Sequence, residues 1–198
     1  MRVEHGEPCP LPDDPVLAEF AQALAEAGQS AQILDPEWRT LYMTDDLRQS
    51  LAGSGRPMSP LVIGAHVSGP ESIAVVQEWD FRSDQEELLL CLGPMMLADC
   101  AGDTDRLRAR VDPSLRHVVD QLRPAHNAQV VSHQGATRGV GTPSIDVMLT
   151  CFRIRDSTGT VRGNVFISKP AAGMHRPRRL APGQNLSPQD PTEFSDTL

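Results

Sequence analysis

The stretch 143–170, PSIDVMLTCFRIRDSTGTVRGNVFISKP, reads as two long strands joined by a tight turn. Ile145, Val147, Leu149 and Cys151 fall on one face of the first strand, and Met148, Thr150, Phe152 and Ile154 on the other. That is the period of two that a pleated strand imposes. Asp156-Ser157-Thr158-Gly159 supplies the turn, because Asp and Ser bond their own backbone and Gly accepts a positive φ. The return strand carries Val161, Val165 and Ile167 on one face with Gly163 between them, and stops before Pro170. A two-stranded hairpin is marginal alone, so this one is expected to be an edge of a larger antiparallel sheet.

The rest of the chain has to supply more strands and a cover. Residues 1–13 read as a flexible arm. Asp14-Pro15 places an N-cap before a proline at the first helical position, and Val16, Leu17, Phe20, Leu24 and Ala27 form a helical stripe closed by Gly28. This predicts a helix over 15–27. SAQIL at 30–34 and WRTLYMT at 38–44 read as a strand pair turned by Asp35-Pro36-Glu37, with Trp38, Thr40 and Tyr42 expected on one face. Thr44 is placed to cap a short helix, TDDLRQSLAG, whose inward residues are Leu47 and Leu51.

Helical character then dominates. SIAVVQEW allows one or two turns, and a Leu-rich helix starting near Ser83-Asp84 is expected to bend at Pro94 and end at Gly102. Another turn or two is expected from Thr104 to Arg110. A second Asp-Pro start at 112–113 opens the stripe Leu115, Val118, Val119 and Leu122. Residues 128–138 read as a further strand, broken or bulged at Gly135, and a glycine-rich turn at 139–142 leads into the hairpin. Residues 171–198 show neither periodicity and are expected to be a disordered, proline-rich tail. The result is one domain over 14–170: an α+β arrangement with a five-stranded antiparallel sheet, helices on one face and an N-terminal cap helix.

Composition narrows the function classes. A formal charge of −8 disfavours general nucleic-acid binding, which needs surplus Lys and Arg. Cys9, Cys91, Cys100 and Cys151 lie far apart without a CxxC pair, a pattern of reduced thiols rather than of a disulfide scaffold or zinc site. The first residues hold no apolar run like a signal peptide, and no stretch approaches the length needed to span a membrane. A cytoplasmic location is the expectation.

Two strands, a helical excursion and three strands behind a cap helix resemble a PAS domain. The stretch LAEAGQSAQILDPEWRTLYMTDDLR, at 23–48, resembles more narrowly the N-terminal sensory region of actinobacterial class III adenylate/guanylate cyclases. The features that carry the resemblance are Ala27-Gly28, Asp35 with Trp38-Arg39, Tyr42, and Thr44-Asp45-Asp46-Leu47-Arg48, with GTVRGNVFISKPA at 159–171 as the closing segment. The resemblance implies a non-catalytic sensory or regulatory module, cyclase-associated, recognising a small ligand or a partner and forming a homodimer. Such a region is expected to lead into a linking helix and a cyclase domain, its cyclase-type effector. With a proline-rich tail in that place, the resemblance implies a sensor part without its output, either a stand-alone relative or a truncated one. The alternatives are a structural dimerisation module without a ligand, or a small enzyme on an α+β fold.

Trp38, Tyr42, Trp79 and Phe152 are half of the chain's eight aromatics, and near the sheet they are placed either to line a small pocket or simply to fill the core. Arg39 and Tyr42 would be its polar handles, for a ligand that is apolar or of mixed polarity. His117 flanks an apolar helical stripe and is a conceivable haem ligand, although a solvent-facing or hydrogen-bonded histidine is the simpler expectation. No cofactor is assigned. No histidine pair has metal-site spacing, so no metal site and no catalytic residue is expected. Cys91 and Cys151 are expected to be buried packing thiols. Asp84, Glu86, Glu87, Asp99 and Asp103 are expected as helix-start charge and solvated surface. Val16, Leu17, Phe20 and Leu24 are the candidate dimer face.

Overall fold

The structure, a computed structural model, describes residues 1–3, 7–52, 61–78, 85–126, 128–137 and 145–170. Trp79, Asp84, the glycine-rich turn at 139–142 and the tail at 171–198 lie outside the described residues. The elements are β1 (Arg2–Val3), α1 (Pro15–Glu26), β2 (Ser30–Leu34), β3 (Thr40–Met43), α2 (Asp45–Ala52) and β4 (Leu61–Val62). They are followed by α3 (Pro70–Glu78), α4 (Gln85–Asp99), α5 (Thr104–Arg110), α6 (Arg116–Val119), β5 (Val130–Thr137), β6 (Ile145–Arg155) and β7 (Val161–Pro170).

Five strands form one antiparallel sheet in the order β3-β2-β7-β6-β5, and the fold is α+β. The β6–β7 hairpin is the expected one, but it is not an edge. Its return strand β7 is the middle strand, because β2 pairs along its free side with Ile33 opposite Val165. The turn closes as its residues dictate. The Asp156 carboxylate accepts from the backbone N–H of Thr158 and Thr160, and Gly159 takes φ +83°.

Alternation sends each strand's two faces to two cores. Ala31, Ile33, Ile154 and Val165 join Leu17, Ala21 and Leu24 of α1. Leu34, Cys151 and Phe166 point the other way, into a larger core built on α3–α6. The cap helix thus covers one face and the main helical layer the other.

Helix α1 begins and ends where its sequence says it should. The Asp14 carboxylate accepts from the N–H of Val16 and Leu17. At the other end Gly28 N–H reaches Ala25 O at 3.0 Å and Gln29 N–H reaches Leu24 O at 2.9 Å, with Gly28 at φ +59°. This is a Schellman closure, for which glycine is suited because it has no Cβ. Asp14 also pairs with Arg162 of β7, and that hydrogen bond holds its carboxyl below the usual range.

The structure sharpens two other segments. Helix α4 continues through Pro94 as one element. The stripe at 115–122 is buried as expected but begins as a short 3-10 turn, Pro113–Leu115, before α6. Parts of the first 13 residues, read from sequence as a loose arm, are held by the fold: β1 pairs with β4, Cys9 is buried, and Arg48 donates to Glu7 O at 2.5 Å.

Candidate functional site

The connection between β2 and β3 concentrates the chain's unusual chemistry. Asp35 organises it: its Oδ1 accepts from the N–H of Glu37 and of Arg39, both at 2.8 Å, while Trp38 N–H returns to Asp35 O at 3.0 Å. Proline at the second position suits such a turn. The residue that closes it then needs a left-handed backbone, a place for Gly or Asn. Here it is Trp38, at φ +66°. A left-handed non-glycine residue costs about 1–2 kcal/mol, so surrounding contacts must impose it.

Those contacts lie in the helical layer. The Trp38 indole is buried, packs at a tilt on Phe166 with ring centroids 6.2 Å apart, and donates from Nε1 to Asp99 Oδ2 at 2.8 Å. The other oxygen of Asp99 accepts from Arg153 at 2.7 Å. Arg153 is only 3% exposed at its side chain, and it also donates to Ala128 O at 3.2 Å. Asp99 is the last residue of α4, where the helix dipole disfavours a carboxylate, so Arg153 and Trp38 supply the compensation. One carboxylate therefore ties the β2–β3 turn, the C-terminus of α4 and the central hairpin together.

The outer rim of the same turn carries a second charged group. Glu37 faces three guanidinium groups: Arg110 at 3.0 Å and Arg106 at 3.4 Å on one oxygen, and Arg39 at 3.2 Å on the other. Arg110, the nearest, does most to hold the Glu37 carboxyl below its ordinary value. His66 stands opposite Arg39 across an isolated antiparallel bridge. Burial, reinforced by Arg110 and Arg39, pushes its pKa down to about 4. The 64–69 loop is fixed there by the bonds Thr40 N–H to Ala65 O and Val67 N–H to Trp38 O, both 2.9 Å.

The aromatic cluster expected from sequence does not converge. Trp38 lies in the helical-layer core, whereas Tyr42 and Phe152 lie on the α1 face. The left-handed Trp38 and the register shift at Ile33/Leu34 break the alternation that put Trp38 and Tyr42 together. Arg39 is half exposed and belongs to the Glu37 group. His117 is exposed at the surface, 3.4 Å from Glu86, which is no position for a haem ligand within the core. On α1, Leu17 and Leu24 are buried against the protein's own sheet and Val16 is half-buried there, leaving Phe20 turned outward.

Asp99 is exposed, as expected, but its carboxylate is engaged by Trp38 and Arg153 and is 21% exposed at the side chain; Asp103 caps α5 by accepting from Arg106 N–H. Cys151 is buried, which pushes its thiol up to about 12, while Cys91 is only half-buried. Sequence reasoning named Arg39 and Asp99, the latter only as surface charge, and missed Arg153, Phe166, Arg106 and Arg110. One signal was present: alternation puts Arg153 on the same face as Cys151, and an arginine at an inward position requires a carboxylate partner.

Among the described residues no group of three or more His, Cys, Asp and Glu is placed to hold a metal ion, and no helix is long and apolar enough to cross a membrane. No protein-family model matches the chain, and no curated protein matches it closely enough to count as a relative.

Proposed function

We propose that this chain is a non-catalytic regulatory module of PAS-like arrangement that acts on a class III cyclase-type effector through a small ligand or a partner. The observation that carries the proposal is the left-handed Trp38, held by Asp99 and, through it, by Arg153. A strained turn residue bonded to a helix terminus and to the central hairpin makes the turn and the helical layer one mechanical unit. A change at the turn then reaches the β6–β7 hairpin without crossing solvent. The carboxylates of Asp35, Glu37 and Asp99 are taken up by structural bonds, and burial raises the Cys100 and Cys151 thiols away from nucleophilic form. The separation of Trp38 from Tyr42 and Phe152 favours recognition at the rim of the turn over an aromatic pocket inside the core.

The test is a cyclase assay with the purified full chain, alone and mixed with a class III cyclase catalytic domain. The expected outcome is no cyclic nucleotide from the chain alone, and a change of about fivefold in the rate of the mixture. Turnover by the chain itself, or an unchanged rate in the mixture, overturns the proposal.

A further inference from the structure

The rim of the β2–β3 turn holds an uneven balance of charge. Arg39, Arg106 and Arg110 converge on the single carboxylate of Glu37. Arg39 and Arg106 are half exposed, so the group is open to solvent, while Arg110 is more enclosed. Beside them His66 is about nine-tenths buried. Its Nδ1 accepts from the backbone N–H of Ser68 at 3.3 Å, which places the ring proton on Nε2. That Nε2–H has no hydrogen-bond acceptor among the described residues. A buried donor left unsatisfied is costly, and near the guanidinium groups of Arg110 and Arg39 it is one more donor for a single kind of ligand.

We propose that Arg39, Arg106, Arg110 and the Nε2–H of His66 form a binding site for a phosphate group, with Glu37 as the internal counter-ion that the ligand displaces. Guanidinium forks match the oxygens of a phosphate, and three of them exceed what Glu37, together with Asp35 near Arg39, neutralises. His66 remains neutral here, so it contributes a hydrogen bond rather than charge. The overall charge of −8 opposes a polyanion, which leaves a small dianion, either inorganic phosphate or a phosphate monoester. Glu37 is the residue before Trp38. Its release therefore acts directly on the turn that Asp99 holds.

The consequence for an effector rests on the regulatory proposal; the binding does not. Calorimetric titration of the full chain with inorganic phosphate, and separately with glycerol phosphate, tests the site. One-site binding of at least one of them is expected. Glu37→Gln removes the internal competitor and tightens it about tenfold, whereas Arg106→Gln weakens it about tenfold. Both side chains are near half exposure, so thermal unfolding of the variants is expected to match the parent protein. Arg116→Gln, an exposed arginine on α6, controls for net charge and leaves binding unchanged. Tighter glycerol phosphate identifies a monoester ligand, and tighter inorganic phosphate identifies the free ion; either result supports the site. No binding, no gain from Glu37→Gln, or an equal loss from Arg116→Gln overturns it. Phosphate binding without any effect on the cyclase mixture sinks the regulatory proposal alone.

Discussion

On the face of the sheet covered by α1, the join is apolar and close, apart from the Asp14–Arg162 pair at the start of the helix. Leu17 reaches the backbone at Gly163, where a Cβ would stand 2.4 Å from Leu34 O and 3.1 Å from a Leu17 methyl. On the opposite face a charged pair crosses the interface: Arg153 rises from β6 to meet Asp99 at the end of α4, and Trp38 joins them from the β2–β3 turn. The first arrangement depends on the absence of a side chain, the second on the presence of three. Apolar contact is non-directional and tolerates repacking, whereas an enclosed arginine needs its carboxylate partner in place.

One of the largest expected effects breaks the polar side. Asp99→Ala leaves the Arg153 guanidinium enclosed without its carboxylate and is expected to cost about 2–3 kcal/mol in denaturant unfolding. Asp99→Asn keeps an acceptor for the indole and is expected to cost less. A loss under about 1 kcal/mol for Asp99→Ala would mean that Arg153 escapes to water and that the two faces are sealed alike.

Next comes the pH profile beside the same face. His66 titrates near 4 in the folded protein, because burial and the neighbouring Arg110 and Arg39 outweigh Glu37, against an ordinary value of 6.5. The unfolded chain therefore takes up a proton that the folded chain refuses. Stability from this group is complete above pH 6.5 and declines as pH falls towards 4, by about 3 kcal/mol. His66→Leu is expected to flatten that part of the curve.

On the α1 face, Gly163→Ala forces a methyl against a backbone carbonyl that cannot move aside, with an expected loss of about 2–3 kcal/mol. Gly93→Ala is the matched test in the helical layer. There the added methyl meets the end of the Leu122 side chain at 2.5 Å, and helix propensity returns up to about 1 kcal/mol. A net loss of about 0–1 kcal/mol is expected. Equal losses for the two variants would remove the contrast in packing.

The smallest effect is a gain. Helix α4 closes as α1 does, with Ala101 N–H to Ala98 O at 3.0 Å and Gly102 N–H to Leu97 O at 2.9 Å, but the left-handed position is occupied by Ala101 at φ +56°. Ala101→Gly is expected to stabilise the protein by about 0.5–1 kcal/mol, read from the unfolding midpoint.

What the sequence determined by itself was local. Asp14-Pro15 and Gly28 set the ends of α1, Asp156 and Gly159 set the hairpin turn, and alternation set which residues of β6 and β7 share a face. These follow from interactions spanning a few residues, so spacing alone reveals them. The tertiary structure decided that the hairpin lies at the centre of the sheet, since that required β2, more than 120 residues earlier, to pair with β7. It also decided the candidate site. Trp38, Asp99 and Arg153 come from three separated segments, and nothing in their spacing brings them together. A left-handed tryptophan is disfavoured locally and is legible only once its partners, 61 and 54 residues apart along the chain, are in place.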